Sequence, residues 1–313
     1  MTGSPDGSPR AGRNFPPARR FAFAFLAIAG VVAMLAGCDS GTTAPAGELL
    51  PSPPPAHRIV ALSPALTELA YAAGAGSRLV GAVAFSDEPV AARALPRVGD
   101  AFRVDLEILA TLHPDLILGW PSGNSPAMLT RLRELGYRVV DLEPRELADI
   151  GEQIELIGRL AGTLPAASAA AGQWREGLAA LEARYAHAHP GRVFYQIAAQ
   201  PLVTVNRRQF IGQAIELCGG VNVFADVPGL APVVSMESVI RAAPEVIVAS
   251  DYTPGPARPA SGSPVDIWKQ WSMLPAVANH RLFVIDPTLL AVPGPRLLEG
   301  IQALCVALNG PAA

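Results

Sequence analysis

Apolar residues recur every three or four positions along residues 164–189. This spacing places them on one face of an α-helix, and charged residues fall largely between them. Pro165 suits the first helical turn, Thr163 can cap the helix, and Pro190 with Gly191 ends it. A helix over 164–189 is about 35 Å long, which is enough to brace two lobes. The apolar stripe consists of Ala171, Trp174, Leu178, Leu181 and Tyr185.

Two stretches that flank this helix resemble each other. Residues 104–118 and 234–248 align at one constant offset, and each is typical of a capped helix, a proline-acidic turn and a short buried strand. We interpret the match as an internal duplication that produced two lobes, because all matched positions share one register. Chance similarity of two common helix-turn-strand units is the alternative. The matched pairs include Asp105 with Ser235, Glu107 with Glu237 and Pro114 with Pro244.

On both sides of the helix, runs of branched apolar residues alternate with helical periods. The alternation predicts the α/β fold class, with a parallel sheet in each of two Rossmann-like lobes, 58–163 and 190–313, joined by the one long α-helix. Strands are predicted at 58–62, 79–84, 116–119, 138–140, 192–197, 246–249 and 282–285. Helices are predicted at 65–73, 106–112, 125–135, 146–161, 210–218, 236–242, 265–271 and 296–308.

The first 38 residues are typical of a signal peptide rather than of a folded domain. Arg19 and Arg20 precede an apolar run that ends in Leu-Ala-Gly-Cys38. This ending resembles the bacterial lipobox, which would make Cys38 the lipidated first residue of the mature protein; an uncleaved membrane anchor is the alternative. Asp39 resembles the inner-membrane retention signal of many Gram-negative lipoproteins. Residues 39–57, rich in Pro, Ser and small residues, are predicted to form a disordered tether.

Charge and motif content exclude several classes of function. With a formal net charge of -3 and no basic stripe, the chain has no signature of a nucleic-acid partner. The motifs GxSxG, GxxxxGK and HExxH do not occur, so we expect a protein that is not an enzyme. The five histidines are scattered, and His187 and His189 do not share a helix face. We therefore expect neither a bare-metal site nor a resident cofactor.

Three cysteines occur in the chain. If Cys38 carries lipid, Cys218 and Cys305 remain as a pair in an oxidising compartment. We expect them to form a disulfide within the C-terminal lobe. Two free buried thiols are the alternative.

Ligands of open parallel sheets bind at the carboxyl ends of the strands, which selects the loops after residues 62, 84, 119, 197 and 285. These loops offer aromatic faces and small hydrogen-bonding groups, and they lack a converging set of titratable side chains. The combination favours a large, flat, partly apolar ligand. Burial of Trp120 in the core is an alternative for that residue. The candidate residues are Ser63, Pro64, Phe85, Trp120, Asn124, Gln200, Asp286 and Thr288.

Residues 58–308 resemble the periplasmic cobalamin-binding proteins of ABC importers, which belong to a family of metal-chelate receptors that also handles siderophores and haem. The resemblance implies a lipoprotein that captures cobalamin, a corrinoid, between its lobes. A haem- or ferric-siderophore-binding protein of the same importer class is the alternative, and a periplasmic enzyme acting on a corrinoid is a distant one. The matching segments are RIVALSPALTELA at 58–70, Phe85-Ser-Asp, Asp105-Leu-Glu, PDLILGW at 114–120, Gly123-Asn124, LCGGVNVF at 217–224, Ser235-Met-Glu and Ala303-Leu-Cys.

The resemblance also implies partners and a location. Glu107 and Glu237 match the two glutamates that dock onto arginines of the membrane permease, which works with its ATPase. First-turn acids favoured by the helix dipole are the alternative for both residues. The Cys218–Cys305 disulfide matches the same family. The implied location is the periplasm, with a lipid anchor in the inner membrane.

The aromatic residues of the cleft depart from the family pattern. Phe85 stands where a tyrosine is expected, and three expected tryptophans fall on Ala101, Ala231 and Pro287. Trp120 is retained, and Phe102 beside Ala101 joins the candidate residues. A cobamide, haem or an iron chelate therefore stay open as ligands, with cobalamin first.

Overall fold

The structure, a computed structural model, describes residues 53–250 and 263–310. The predicted signal peptide, the lipidation site Cys38 and tether residues 39–52 lie outside the described residues. The end of the predicted tether is part of the folded unit: the buried Ala56 donates its N–H to Leu160 O at 2.8 Å, and His57 donates its N–H to Asp115 Oδ2 at 2.8 Å. Within the described ranges, no helix is both long enough and apolar enough to cross a membrane.

Short strands and helices alternate along the described chain, as the sequence predicts. The strands are β1 Ile59–Ala61, β2 Leu79–Ala82, β3 Leu116–Gly119, β4 Val139–Asp141, β5 Arg192–Gln196, β6 Ala198–Ala199, β7 Leu202–Val203, β8 Val221–Asn222, β9 Val246–Ser250 and β10 Leu282–Ile285. The helices are α1 Pro64–Ala72, α2 Leu106–Leu112, α3 Pro126–Glu134, α4 Asp149–Ala161, α5 Leu164–Tyr185, α6 Phe210–Leu217, α7 Met236–Ala242, α8 Pro275–Ala278, α9 Pro287–Leu290 and α10 Leu297–Asn309.

Two parallel sheets form the cores of two lobes. The N-terminal sheet has the strand order β2-β1-β3-β4 and the C-terminal sheet has the order β10-β9-β5-β8. Every neighbouring pair within these sheets is parallel. The central strands β3 and β9 are buried at every position, as branched apolar runs covered on both faces by helices should be. The predicted fold class is confirmed.

Helix α5 joins the two lobes and contacts helices of both. It packs against α4 and α1 on one side of the chain and against α10 and α6 on the other. All five residues of the predicted apolar stripe are buried. Gly158 of α4 lies so close to Ala167 that an added Cβ would stand 2.2 Å from the Ala167 methyl. The small residues on the surface of α5 therefore let α4 and α5 pack closely against each other.

Two details of α5 differ from the prediction. The helix ends at Tyr185 instead of continuing to residue 189. Pro190 restricts only His189 directly, and the helix ends earlier, in a turn in which Ala188 donates its N–H to Tyr185 O at 2.9 Å. Thr163 does not cap α5: its hydroxyl donates to Ala73 O at 2.7 Å and so ties the start of α5 to the end of α1.

The two halves of the sequence repeat fold alike. Asp105 caps α2 and Ser235 caps α7, each accepting backbone N–H groups of the first turn. Both helices end in a residue with left-handed backbone geometry, His113 with φ 43° and Ala243 with φ 44°. A proline follows each of them. The matched sequences therefore specify matched caps at both ends of the helix.

An arginine outside each aligned stretch follows the same symmetry. Arg58, just before β1, donates from Nε to Leu112 O at 2.8 Å. Arg192, at the start of β5, donates from Nη2 to Ala242 O at 2.8 Å. In each lobe an arginine thus satisfies a free carbonyl at the carboxyl end of the duplicated helix and places its charge where the helix dipole favours it. The pairing supports the interpretation of an internal duplication.

The C-terminal lobe contains elements that differ from the prediction. The predicted helix at 265–271 is only a 3-10 turn at Asp266–Trp268. Gln196, at the end of β5, accepts the indole N–H of Trp268 at 2.7 Å and donates to Pro264 O at 3.0 Å. These tertiary bonds fix Pro264 and Trp268 to the end of β5, and tertiary contacts of this kind override local helix propensity. The hairpin β6-β7, strand β8 and helices α8 and α9 were not predicted, since two- to four-residue elements carry too little periodicity.

Cys218 and Cys305 form a disulfide, as predicted. Both sulfur-bearing residues are fully buried, and their Cα atoms are 4.9 Å apart. The bond joins the end of α6 to the middle of α10 across a sequence separation of 87 residues. It thereby closes most of the C-terminal lobe into one loop.

Candidate functional site

Asn124 joins the loops that meet at the carboxyl edge of the N-terminal sheet. Its Nδ2 donates to Leu62 O at 2.9 Å and to Ala101 O at 3.0 Å. Its Oδ1 accepts the backbone N–H of Trp120 at 2.7 Å. Because the amide is buried and all these partners are backbone atoms, Asn124 fixes the loops that carry Trp120 and Phe102. Direct contact between Asn124 and a ligand stays a prediction.

Ser63 and Pro64 begin α1 at the same edge. The Ser63 hydroxyl accepts the N–H of Leu66 at 3.1 Å, and Pro64 occupies the first turn, where its missing N–H costs nothing. Ser63 is buried and Pro64 is half-buried. Both residues therefore lie where the sequence placed them, although the Ser63 side chain is used as a helix cap.

Two phenylalanine residues at this edge are largely exposed to solvent. The Phe85 residue is 82% exposed and the Phe102 residue is 72% exposed. Phe85 has φ 64°, a left-handed conformation that is unfavourable for a bulky side chain, so the fold holds this ring at a cost. Trp120 is half-buried, and its indole N–H donates to Ser122 Oγ at 2.9 Å. Exposed rings on a rigid edge are suited to stacking against a flat ligand.

Asp100 orders the loop that presents Phe102. Its Oδ1 accepts the backbone N–H of Phe102 and that of Arg103, each at 2.8 Å. These two hydrogen bonds, with a smaller contribution from the Arg103 charge, hold the pKa of Asp100 below its ordinary value. The carboxylate therefore stays ionised and keeps the turn in place at neutral pH.

The candidate residues of the C-terminal lobe lie on the loops after β5 and β10. Gln200 is exposed in the tight turn between β6 and β7. Asp286 caps α9 by accepting the backbone N–H of Thr288 at 2.9 Å and its hydroxyl at 2.8 Å. Strand β9 separates β5 from β10, so the two loops leave the sheet two strand spacings apart, about 10 Å. Residues 251–262, which follow β9, lie outside the described residues.

A charged pair that the sequence reasoning missed connects the lobes at this end of the molecule. Glu68 of α1 is only 6% exposed and accepts two hydrogen bonds from Arg296, which precedes α10. Arg296 Nη2 lies 2.8 Å from Glu68 Oε1, and Nε lies 3.2 Å from Oε2. The hydrogen bond to the Glu68 carboxylate raises the pKa of Arg296. A carboxylate inside the apolar run LSPALTELA was the available signal.

Glu107 and Glu237 are exposed in the first turns of the matched helices α2 and α7. The backbone N–H of Glu237 and the hydroxyl of Ser235 lower the pKa of the Glu237 carboxyl. Leu106 and Ile108, which flank Glu107, are partly exposed. Each lobe thus presents an anionic side chain on an equivalent helix, and a docking role for the two residues stays a prediction.

Comparison with known proteins shows similarity across both lobes. Residues 59–289 match the family described as "Periplasmic binding protein". A vitamin B12-binding protein of Vibrio cholerae serotype O1 is 36% identical over 262 residues, which cover 83% of this chain and 92% of that protein.

Two solved structures give the same result. The crystal structure of a periplasmic vitamin B12 binding protein of Vibrio cholerae has a TM-score of 0.73 and 36% identity, and the match covers 81% of this chain and 97% of that chain. That of a periplasmic heme binding protein from Pseudomonas aeruginosa has a TM-score of 0.68 and 26% identity, covering 82% of this chain and 94% of that one.

Proposed function

The chain belongs to the periplasmic binding protein family, and from this premise we propose that it captures cobalamin between its lobes and delivers it to an ABC permease. It is a binding protein of the periplasm and not an enzyme. The observation that carries the choice of ligand is the pair of exposed rings, Phe85 and Phe102, held at the carboxyl edge of the N-terminal sheet. A corrin ring is large, flat and studded with methyl groups, so it suits such rings better than a small polar solute does.

Haem is the second candidate, because a heme binding protein shares the fold at 26% identity. Haem iron takes an axial ligand such as His, Tyr, Cys or Met. The nine candidate ligand residues include none of these side chains, and phenylalanine occupies position 85. Cobalamin brings both axial ligands with it or takes water, so it does not need a ligand from the protein. This difference favours the corrinoid.

Delivery requires contact with a permease and closeness to the membrane. Glu107 and Glu237 supply one exposed anionic side chain on each lobe for arginines of the permease. Cys38, as the lipidated first residue of the mature protein, anchors the protein to the inner membrane, and residues 39–52 tether it. Reversal of both charges, Glu107→Lys with Glu237→Lys, is expected to abolish permease binding while ligand affinity stays at the wild-type level.

The ligand is tested by titrating the purified protein with cyanocobalamin, haemin and a ferric siderophore, followed by calorimetry and visible absorption. We expect one-to-one, submicromolar binding of cyanocobalamin alone. Phe85→Ala and Phe102→Ala should each weaken this binding about tenfold, since stacked aromatic contacts contribute about 1 kcal/mol beyond buried area. Val90→Ala, which truncates another exposed apolar residue, is the matched control. Binding of haemin without the corrinoid would overturn the choice of ligand and keep the family.

A further inference from the structure

The Glu68–Arg296 pair connects two segments that each follow the carboxyl end of a strand. Glu68 lies on α1, directly after β1, and Arg296 ends the segment that follows β10. Gly294 brings this segment against α1: an added Cβ would stand 2.9 Å from Glu68 Oε2 and 3.2 Å from Glu68 Cβ. The two lobes therefore meet at the end of the molecule that carries the candidate ligand residues.

A second polar contact joins the lobes at a different place. Gln213, on α6 of the C-terminal lobe, accepts the backbone N–H of Leu147 at 3.0 Å. Its Nε2 donates to Arg145 O at 2.8 Å. Leu147 and Arg145 precede α4 in the N-terminal lobe. On its other side, Leu147 accepts the indole N–H of Trp174 from the joining helix α5 at 2.9 Å.

Separation of the lobes would break both contacts at once. Glu68, which is 6% exposed, would lose the two hydrogen bonds from Arg296, its only described cationic partner, and charge-assisted hydrogen bonds of this kind are the strong ones. The N–H of Leu147 would lose its acceptor, and this residue is also buried. Together with α5, these contacts resist any change in the distance between the sheets.

We propose that the Glu68–Arg296 pair and Gln213 hold the ligand-free protein at the lobe separation that the ligand requires, so that these residues are positioning residues for capture. The inference rests on the proposed function for the identity of the ligand but not for the mechanical coupling. Loss of either contact lets the lobes open, and the other contact then breaks more often. The fraction of molecules competent to bind falls, and the apparent Kd rises by the inverse of that fraction.

The coupling is tested by hydrogen exchange in the purified, ligand-free protein. Glu68→Gln should accelerate exchange of the Leu147 N–H about tenfold, because that amide reports the other contact, and excess cyanocobalamin should slow it again. Glu299→Gln is the matched control, since Glu299 is an exposed carboxylate near Arg296 that contributes to its pKa. The N–H of Ile117, bonded to Arg138 O within the N-terminal sheet, reports global unfolding and should stay slow.

Affinity supplies the second measurement. Glu68→Gln should raise the Kd for cyanocobalamin about tenfold, whereas Arg296→Lys, which keeps the cation, should restore part of the affinity lost in Arg296→Gln. If Glu68→Gln fails to fold, Gln213→Ala takes its place, with exchange read around residues 292–298. Unchanged Leu147 exchange in a folded Glu68→Gln protein would overturn the proposal. Absence of corrinoid binding by the wild type would overturn only the proposed ligand, because the exchange result does not depend on it.

Discussion

Replacement of Asn124 by aspartate keeps the size of the side chain but replaces the Nδ2 donor with an ionisable oxygen, so its effect on stability should depend on pH. In the wild type, Nδ2 donates to two carbonyl oxygens at 2.9 and 3.0 Å, and Oδ1 accepts one N–H at 2.7 Å. An ionised carboxylate at this place keeps the acceptor but turns an oxygen toward two carbonyls. Burial without a cation raises the pKa of the new carboxyl above its unfolded value.

The expected cost follows from these contacts. Below about pH 4 the neutral acid still donates one hydrogen bond, so Asn124→Asp loses about 1 kcal/mol. At pH 7.5 both donor bonds are lost and a buried charge lacks a partner, so the loss grows to about 4 kcal/mol. Because the folded state holds the proton longer than the unfolded state, stability falls as pH rises. Asn124→Ala loses all three bonds, about 3 kcal/mol, at every pH.

The assay is urea unfolding of both variants at pH 4.0 and pH 7.5, each compared with wild type at the same pH. The aspartate variant should be the more stable of the two at pH 4.0 and the less stable at pH 7.5. Cyanocobalamin affinity should fall in both variants, because the loops that carry Trp120 and Phe102 lose their common anchor. Equal losses at the two pH values in Asn124→Asp, or a loss below about 0.5 kcal/mol in Asn124→Ala, would refute the structural role assigned to the amide.

Two further predictions concern the disulfide and the loop of Phe102. The double change Cys218→Ala with Cys305→Ala should lower the free energy of unfolding by about 4.6 kcal/mol, from the chain-entropy relation for an 87-residue separation. Thermal melting should then show a Tm lower by roughly 10 °C, and a shift within 2 °C would contradict this. The pKa of Asp100 is lowered in the fold, so its support of the loop is present at neutral pH and is lost as pH falls through that pKa. In an NMR titration, the amide signals of Phe102 and Arg103 should shift together with a midpoint below that of a free aspartate, whereas a midpoint at the ordinary value would disprove the assignment.

Periodicity and repetition in the sequence were sufficient for the fold class. The 3-4-3-4 spacing in α5 reflects the burial of one helix face, and the apolar runs in the two repeat halves reflect the burial of whole strands. Both patterns can be read from short stretches of sequence. Helix ends were less predictable. Thr163 is a residue type that favours the cap position, yet its hydroxyl donates to Ala73 O just after α1, because that acceptor comes near only in the folded chain.

The sequence predicted which loops take part in the candidate site. It did not predict what the polar side chains on those loops do. Phe85, Trp120 and Asn124 each follow a strand of the N-terminal sheet, and in a parallel sheet the carboxyl ends of all strands lie at one edge. The order of strands and helices along the sequence is therefore enough to group these three residues. Whether the amide of Asn124 faces a ligand or three backbone atoms depends on contacts between residues 62, 101 and 120. Those contacts bring together residues far apart in the chain.

The sequence by itself determined the two-lobed α/β architecture, the joining helix, the cysteine pair and the family, because each is written in local periodicity, internal repetition or motif. Only the tertiary structure decided that Glu68 and Arg296, 228 positions apart, meet across the lobes, and that Gln213 meets Leu147. A side chain's own sequence context fixes its secondary structure and its tendency to be buried. Its partner is fixed by the packing of whole elements, which brings distant residues together only after the chain has folded.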